Sequence, residues 1–178
     1  MCDVQMLYAK KDFELAKIIK VQPMTIKAAN EFIKEFHRHH RPTTRNSGKW
    51  ALAAVNLHGE LVGVVIAGNP VSATYMDGKT IELTRLCVKE GAPKGTCSFL
   101  LSKCYSIWQQ MGGEKVITYT LESESGASLK GAGWKLSGTV KPHKRWQNKT
   151  KIDGIERAHL EIYELTKHRW ERKLEEAI

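Results

Sequence analysis

The sequence predicts an α/β protein in which a mixed, mostly antiparallel central sheet is flanked by helices. Apolar, β-branched runs recur between residues 50 and 88 with turn signals between them, as in a β-meander. An amphipathic helix pattern follows, and another apolar strand comes after it, as a helical crossover requires. No GxGxxG turn follows an opening strand, which argues against a doubly wound dinucleotide-binding fold.

Length and composition predict one domain with short extensions. The chain has 178 residues, 42% of them hydrophobic and 26% charged, as in ordinary globular proteins. We assign residues 1–20 to an N-terminal extension, 21–165 to the domain and 166–178 to a charged C-terminal helix. No apolar run is long enough to span a membrane, and the N-terminus lacks the apolar core of a signal peptide. We therefore expect a cytoplasmic protein without a membrane partner.

The domain is predicted to open with a helix. Thr25 is the expected N-cap, and Pro42 stops the helix because its ring disfavours helical geometry at the preceding residue. One stripe of the helix is apolar: Ile26, Ala29, Ile33 and Phe36.

Strands are predicted to follow this helix. Residues 50–68 contain two apolar runs joined by a turn at His58–Gly59, and residues 71–88 repeat the pattern with Asp77–Gly78 as the hairpin turn. Residues 135–165 are expected to close the fold as one or two strands.

The segment from Ile81 to Trp134 is the most informative part of the chain. A strand leads into the loop GAPKGTCS, then an amphipathic helix, the strand KVITYTL and a short helix ending in GAGW. A tight loop before a helix start aims backbone N–H groups at an anion, and the helix dipole adds about 0.3–1 kcal/mol. Gly95 would let the backbone approach a pyrophosphate. The alternative is an ordinary strand–helix connection capped by Thr96 or Ser98.

The net charge of +9 is concentrated in two basic stretches, residues 34–45 and 141–151. Each interleaves cations with aromatic or imidazole rings, as a nucleic-acid surface does. The alternatives are a solvated face or a basic rim beside a polyanionic cofactor. The candidate nucleic-acid contacts are His40, Arg41, Lys144, Arg145 and Trp146, and Trp146 could stack on a base.

Histidines and cysteines are the other reactive side chains. His37 and His40 lie three residues apart and are expected to share a helix face. Protonated histidines are favourable at a helix C-terminus without any function, and a substrate base or metal pair is the alternative. No third ligand is identifiable, so no metal site is predicted. The cysteines have no metal-type spacing and are expected to be free thiols: Cys2, Cys87, Cys97 and Cys104.

Over roughly residues 21–165 the chain resembles the GNAT superfamily of acyl-CoA-dependent N-acyltransferases. The resemblance rests on the glycine loop before the main helix and the small residue–Gly–aromatic ending of the next helix, both behind a β-meander. Three strings also resemble the Mom-type branch of phages and mobile elements, whose named member modifies adenine in DNA: FHRHHRP, AGNPVSAT and ELTRLCV. This branch implies DNA as a partner and a base amine as the acceptor.

The resemblance implies that acetyl-CoA or another acyl-CoA is bound at the strand–loop–helix segment. The residues that it assigns to the cofactor are Leu86, Cys87, Val88, Lys94, Gly95, Thr96, Cys97 and Ser98. The loop departs from the usual signature, in which Gln or Arg precedes two spaced glycines. Here Lys89 and Lys94 supply the cations.

Acyl transfer to an amine needs a base, a donor for the thioester oxyanion and an acid for the leaving thiolate. Glu82 is the candidate base, and strict alternation would place it on one strand face with Thr84 and Leu86. An ion pair with Arg85 or Lys79 is the alternative role.

Two further catalytic candidates come from the resemblance and from the short helix. The Mom-type branch implies a functional histidine at His37, and Ser125 could bond the acceptor or simply cap the helix. The usual tyrosine acid corresponds to Leu129, so Ser125, Ser128 or Tyr119 could replace it, or the thiolate leaves into water. Other functions stay open: a protein or small-amine acceptor, a non-catalytic GNAT-like binding module, or a metal-dependent modification.

Overall fold

Seven strands form one sheet in the computed structural model of the chain, which describes residues 19–37, 41–43, 46–142 and 164–173. The strands are β1 (Ile19–Met24), β2 (Trp50–Asn56), β3 (Leu61–Gly68), β4 (Thr80–Val88), β5 (Lys115–Leu121), β6 (Lys135–Val140) and β7 (Lys167–Lys173). The helices are α1 (Ile26–Phe36), α2 (Thr96–Gln110) and α3 (Ala127–Gly131), with a 3₁₀ turn at Ala73–Tyr75.

The strand order is β1-β2-β3-β4-β5-β7-β6. Only β4 and β5 are parallel, because α2 carries the chain back between them, and every other neighbouring pair is antiparallel. The predicted mixed, mostly antiparallel sheet flanked by helices is therefore confirmed.

Each face of the sheet carries its own hydrophobic core. The α2 face is the larger, and α2 packs Phe99, Leu100, Leu101, Cys104 and Trp108 against it. The α1 face is smaller, and α1 covers it with Ala29, Phe32 and Ile33. Strand side chains alternate between the two cores. The core that a strand residue contacts therefore shows on which face of the sheet its side chain lies.

Helix α1 begins as the sequence predicts, with the Thr25 hydroxyl accepting a hydrogen bond of 3.1 Å from the Ala28 N–H. It ends earlier than predicted. His37 is already extended (φ −84°, ψ 124°), and its N–H donates to the Ile33 carbonyl. The expectation that His37 shares a helix face with His40 is therefore wrong for His37, while His40 lies outside the described residues.

The hairpin turn predicted at Asp77–Gly78 is also wrong, whereas the turn at His58–Gly59 between β2 and β3 is confirmed. Residues 69–79 form a loop with one 3₁₀ turn instead of a strand. Asp77 ends this loop by accepting hydrogen bonds from Lys79 N–H and from both the N–H and hydroxyl of Thr80. The carboxylate thus stabilises the entry into β4 rather than a two-residue hairpin.

The predicted C-terminal helix over residues 166–178 is wrong where the structure describes it, because Lys167–Lys173 form β7. Helix-forming side chains favour a helix locally, but Trp170 is 2% exposed and packs in the α2-face core. Its indole N–H donates to the Thr120 hydroxyl at 3.0 Å. A Cβ at Gly126, where φ is +62°, would overlap the Trp170 ring, so glycine is required at that contact.

The structure moves the predicted N-terminal boundary of the domain. β1 already begins at Ile19, inside the expected extension of residues 1–20, and residues 1–18 lie outside the described part. Of residues 135–165, which were expected to close the fold as one or two strands, Lys135–Val140 form β6 and residues 143–163 lie outside the described part. No helix among the described residues is long and apolar enough to cross a membrane.

We expect Trp170→Ala to lower the free energy of unfolding by about 3–5 kcal/mol, because it empties a buried aromatic position between β5 and α3. Chemical denaturation monitored by circular dichroism would measure this loss. Leu57→Ala is the matched control, since Leu57 is 61% exposed. A loss of less than about 1 kcal/mol at Trp170 would contradict its placement in the core.

Candidate active site

The two parallel strands at the centre of the sheet separate soon after they pair. Their register covers Thr80 to Glu82 of β4, and the last pair is Glu82 with Ile117. β4 continues to Val88 and β5 to Leu121, with one side-chain bridge at 2.9 Å from the Thr118 hydroxyl to the Leu83 carbonyl. We call the gap between β4 and β5 beyond this register the slot, because the facing backbone groups of the two strands no longer pair with one another there.

A β-bulge explains why β4 turns away. Ile66 of β3 pairs with Arg85 and Ala67 pairs with Leu83, so Thr84 is an extra residue in β4. The Thr84 hydroxyl lies 3.4 Å from the Ile66 carbonyl, across the irregular step. A bulge bends its strand and increases its twist, which draws the second half of β4 away from β5.

The bulge also reverses the alternation of side chains along β4. Four side chains of β4 contact the α2-face core: Ile81, Leu83, Leu86 and Val88. Odd-numbered residues face this core before the bulge and even-numbered residues face it afterwards. Cys87 lies in the α1-face core, on the same side as Glu82 and Arg85. The prediction that Glu82 shares a face with Leu86 is therefore wrong, because strict alternation fails at an inserted residue.

Glu82 lies at the base of the slot and is 6% exposed. Burial raises the pKa of its carboxyl group, while the Val71 N–H, Arg85 and Lys167 oppose this shift and leave the pKa above its ordinary value. The Val71 N–H donates to a Glu82 carboxylate oxygen at 2.8 Å. A buried carboxyl group with a raised pKa is suited to take a proton near neutral pH.

Tyr119 lies near this carboxylate on the α1 face, and Tyr75 lies near Tyr119. Tyr119 lies two residues beyond Ile117 on β5, and burial together with Glu82 and Tyr75 raises the pKa of Tyr119 to about 12. Its phenol therefore stays protonated at neutral pH and can donate a hydrogen bond. Tyr75 comes from the loop before β4, and Arg169 of β7 donates a hydrogen bond to its hydroxyl oxygen.

The start of α2 lies just beyond the end of β4. Gly95 is the N-cap and adopts a left-handed conformation (φ 97°, ψ −1°), which favours glycine at this position. The Phe99 N–H donates the first helical bond to the Gly95 carbonyl, and the Thr96 N–H donates to the Pro93 carbonyl at 3.2 Å. Lys94 is exposed next to this helix start.

The hydroxyl groups predicted to cap the helix or meet a cofactor have partners within the protein. The Thr96 hydroxyl donates to the Pro93 carbonyl at 2.6 Å, and Thr96 is 1% exposed. The Ser98 hydroxyl donates to the Ser128 carbonyl at 3.0 Å, which joins the first turn of α2 to α3. The hydroxyls of Thr96 and Ser98 are therefore not the groups that this end of the helix presents to an anion.

Other predicted site residues are more scattered. The Cys87 side chain is buried on the α1 face, away from Leu86 and Val88, and Cys97 is half-buried in the first turn of α2. Ser125 is exposed, and its hydroxyl accepts a hydrogen bond of 3.3 Å from the Ala127 N–H, as a turn residue does. Leu129 is a core residue with 5% exposure and offers no acid.

The predicted nucleic-acid contacts lie mostly outside the described residues: His40, Lys144, Arg145 and Trp146. Arg41 is exposed, and its carbonyl accepts a hydrogen bond of 2.8 Å from Arg85 Nε. His37 is half-buried at the end of α1. The structure thus places Arg41 beside a residue of the slot, and it leaves the other four basic or aromatic contacts as predictions.

Sequence reasoning missed the side chains that β7 and the loop before β4 bring to the slot. Lys167 and Arg169 lie in a segment that was expected to be a separate helix, and Tyr75 lies in a segment that was expected to be a strand. The sequence KHRWERK places charged residues on both sides of a single tryptophan. This alternating pattern could have indicated a strand with the tryptophan facing the core.

Neither protein-family models nor curated proteins match the sequence, but solved structures match the fold. The IAA acetyltransferase from Bacillus cereus ATCC 14579 has a TM-score of 0.63 at 16% identity, covering 88% of this chain and 99% of its own. The ribosomal-protein-S18-alanine N-acetyltransferase from Escherichia coli has a TM-score of 0.62 at 12% identity, covering 90% and 96%. A GNAT superfamily phosphinothricin acetyltransferase from Sinorhizobium meliloti, in complex with acetyl-CoA, has a TM-score of 0.61 at 16% identity, covering 88% and 89%. The predicted GNAT-like fold is therefore confirmed.

We expect Glu82→Gln to change how stability depends on pH. The folded-state pKa of Glu82 lies above that of the unfolded chain, so the folded protein retains a proton that the unfolded chain has released between the two values. In the wild type, the stability that Glu82 contributes is fully present below the pKa it has in the unfolded chain. It is lost as pH rises through the higher pKa that Glu82 has in the folded protein. The variant lacks this loss, so its stability relative to wild type should increase as pH rises from the ordinary carboxyl pKa through the raised folded-state pKa of Glu82.

Denaturant titrations at several pH values would measure this difference. Glu35→Gln is the matched control, because Glu35 is exposed on α1 and the substitution is the same. Parallel stability curves for wild type and Glu82→Gln would contradict the assignment.

Proposed function

We propose that the protein is an acyl-CoA-dependent N-acyltransferase. The observation that carries this proposal is the slot between β4 and β5, which has a helix start at one end and a buried carboxylate at its base. A slot of this kind suits an extended ligand that ends in a phosphate group. The shared fold supports the proposal, since solved neighbours include acetyltransferases in complex with CoA and with acetyl-CoA.

The residues present fit an acyl-CoA. The left-handed Gly95 and the first turn of α2 would bind its pyrophosphate through backbone N–H groups, with Lys94 nearby. The backbone of Leu86 and Val88 would contact its extended arm along β4, and Cys87 could take part only through its backbone. When bound, the thioester supplies an activated acyl group for transfer.

Glu82 is the proposed general base. An acceptor amine is a nucleophile only when it is deprotonated, so a carboxylate near the amine must accept its proton. Burial keeps the carboxylate away from bulk water, and the Val71 N–H fixes its orientation. These two conditions, together with a pKa above its ordinary value, support Glu82 as the proton acceptor.

Tyr119 is the proposed hydrogen-bond donor for negative charge that develops during transfer. It lies on the same face as Glu82, and its raised pKa of about 12 keeps the phenol protonated. Leu129 stands where many GNAT enzymes carry a tyrosine, and it is buried in the core. We therefore assign Tyr119 a stabilising hydrogen bond to the oxyanion or leaving thiolate.

The finer proposal is that the acceptor is an amine on a DNA base, as the resemblance to the Mom-type branch implies. The net charge of +9 supports it, as does exposed Arg41 next to Arg85 at the slot. An amine of a protein or small molecule is the runner-up, and the solved neighbours include a ribosomal-protein-alanine N-acetyltransferase. His37 keeps its proposed functional role only within the Mom-type proposal.

Incubation with acetyl-CoA and a panel of acceptors tests these proposals together. Thiol release would report turnover, and mass spectrometry of an oligonucleotide, a peptide and small amines would identify the acceptor. A non-catalytic module would instead yield no product and would bind DNA in a salt-sensitive way that CoA does not alter.

We expect Gly95→Glu to weaken CoA binding by about 100-fold or more, because like charges in contact cost several kcal/mol. Isothermal titration calorimetry would measure the affinity. Gly78→Glu is the matched control: Gly78 also has a left-handed φ of +78°, no atom lies within 4 Å of a Cβ there, and it precedes β4 at the opposite end from the loop.

Lys94→Glu places a carboxylate at an exposed position of the same loop without backbone strain, and it also removes a cation. It should also weaken CoA binding, which keeps the test informative if Gly95→Glu folds poorly. Equal CoA affinity in wild type and in both loop variants would rule out the loop as the phosphate site.

We expect Glu82→Gln to lower kcat/KM for the amine by about 100-fold or more at neutral pH, with CoA affinity unchanged, because the general base is lost. Wild-type kcat/KM should rise with pH through the raised pKa of Glu82, and this step should be absent from the variant. Glu35→Gln should retain the wild-type profile. An unaltered pH profile in Glu82→Gln would assign the base elsewhere.

A further inference from the structure

The loop of residues 69–79, which brings the Val71 N–H to Glu82, is held by polar contacts rather than by burial. Pro70 is its only buried residue, and the side chains of Val71 and Met76 are 62% and 58% exposed. Apolar packing therefore contributes little to the position of this loop. Its position depends on the hydrogen bonds that it makes to the rest of the sheet.

Tyr75 makes the contact at the middle of the loop. Its hydroxyl oxygen accepts a hydrogen bond from the guanidinium of Arg169 on β7, and the Arg169 Cζ lies 5.1 Å from the centre of the Tyr75 ring. The Nζ of Lys115 on β5 lies 5.7 Å from the centre of the same ring. Because a cation is attracted to the face of an aromatic ring, these contacts hold the Tyr75 side chain against β5 and β7.

Arg169 is itself fixed on the neighbouring strand β6. Its Nε donates to the Ser137 hydroxyl at 2.9 Å, and its Nη2 donates to the Ser137 carbonyl at 3.1 Å. The Ser137 hydroxyl in turn donates to the Arg169 carbonyl at 3.2 Å. A planar guanidinium that is bonded through all three of its nitrogen atoms keeps one orientation, so Tyr75 has a fixed partner.

One turn of backbone connects Tyr75 to the contact with Glu82. The Tyr75 N–H donates to the Ser72 carbonyl at 3.1 Å, across the 3₁₀ turn at Ala73–Tyr75. Ser72 directly follows Val71, whose N–H donates to a Glu82 carboxylate oxygen at 2.8 Å. A displacement of Tyr75 would therefore also displace the Val71 N–H from the carboxylate.

We infer that Arg169 and Tyr75 are positioning residues, which fix the loop so that the Val71 N–H stays bonded to the Glu82 carboxylate. The inference rests on the proposed role of Glu82 as the general base, and it names two residues on which that role depends. Both act through the loop, so their effect is measured on Glu82.

The protonation of Glu82 reports the position of the loop. Burial raises the pKa of Glu82, and the groups that lower it are the Val71 N–H, Arg85 of β4 and Lys167 of β7. Tyr119 of β5, with a pKa raised to about 12, carries no charge at neutral pH. Moving the Val71 N–H away removes one lowering contribution and leaves the other groups in place, so the pKa of Glu82 rises further.

Tyr75→Phe tests the inference, because it removes the hydroxyl that accepts from Arg169 and keeps the ring. The ascending limb of kcat/KM for the amine should move up by about one pH unit, with its high-pH plateau retained. Below the wild-type pKa, kcat/KM should therefore fall about tenfold. General damage to the fold would instead lower kcat/KM at every pH without moving the limb.

Arg172 and Tyr105 form a matched control pair on the opposite face of the sheet. The Arg172 Cζ lies 3.6 Å from the centre of the Tyr105 ring, and both side chains lie on the α2 face. Tyr105→Phe and Arg172→Gln therefore make matched changes in an arginine–tyrosine contact away from Glu82. Tyr105→Phe should leave the limb where it is. An equal shift in Tyr105→Phe, or no shift in Tyr75→Phe, would overturn the inference.

Amide hydrogen exchange measures the same contact without turnover, which separates this inference from the proposed function. Followed by NMR, exchange of the Val71 N–H should be about tenfold faster or more in Tyr75→Phe and in Arg169→Gln than in wild type, and unchanged in the two control variants. Unchanged exchange at Val71 in either test variant would overturn the inference, whether or not the protein transfers an acyl group. Faster exchange in a protein that turns over no amine would support the contact and reject the proposed function.

Discussion

The extra residue in β4 is the constraint on which the rest of the candidate site depends. Because no residue of β3 stands opposite Thr84 in the strand register, β4 bends and leaves β5 after three paired residues. The same insertion rotates Arg85 onto the α1 face beside Glu82 and returns Leu86 to the α2-face core. One local irregularity thus creates the slot and also selects the side chains that surround it.

The surroundings of Glu82 favour reactivity at the expense of stability. A buried carboxylate is costly to ionise, and the protein offsets only part of that cost with one backbone hydrogen bond and nearby cations. The loop before β4 is held in place by contacts to the charged groups of the site, through Val71 to Glu82 and through Tyr75 to Arg169. The loop and the carboxylate therefore depend on each other, and a change in either one alters the position of the other.

Much of the fold could be predicted from the sequence, because it follows from local patterns. The Thr25 cap, the β2–β3 turn and the α2 amphipathic face are short-range features, and each is confirmed. The bulge could not be predicted, since an inserted residue leaves no signal in a run such as ELTRLCV. The strand β7 was misread because its charged residues favour a helix locally, while its state is decided by burial of Trp170 against distant elements.

Within the candidate site, the loop and Glu82 could be proposed from sequence, whereas their chemical surroundings could not. Gly95 and the helix start follow from residue types and order. The approach of Arg85 and Lys167 to Glu82 depends on two strands that are far apart in sequence and on a bulge that sets the direction of Arg85. A cluster of this kind forms only when the sheet is assembled, so no local sequence pattern predicts it.

The position of β7 has a consequence for the order in which the protein can assemble. β5 ends at Leu121, yet its antiparallel partner begins at Lys167, so the chain must close a long loop before these strands can pair. Contacts of this range slow folding, because the entropy of the connecting segment is lost before the pairing energy is gained. On a ribosome, the helix start that faces β4 could form while β7 is still being synthesised. The contact of Arg169 with Tyr75 would therefore be among the last that the nascent protein acquires, after the start of α2 is in place.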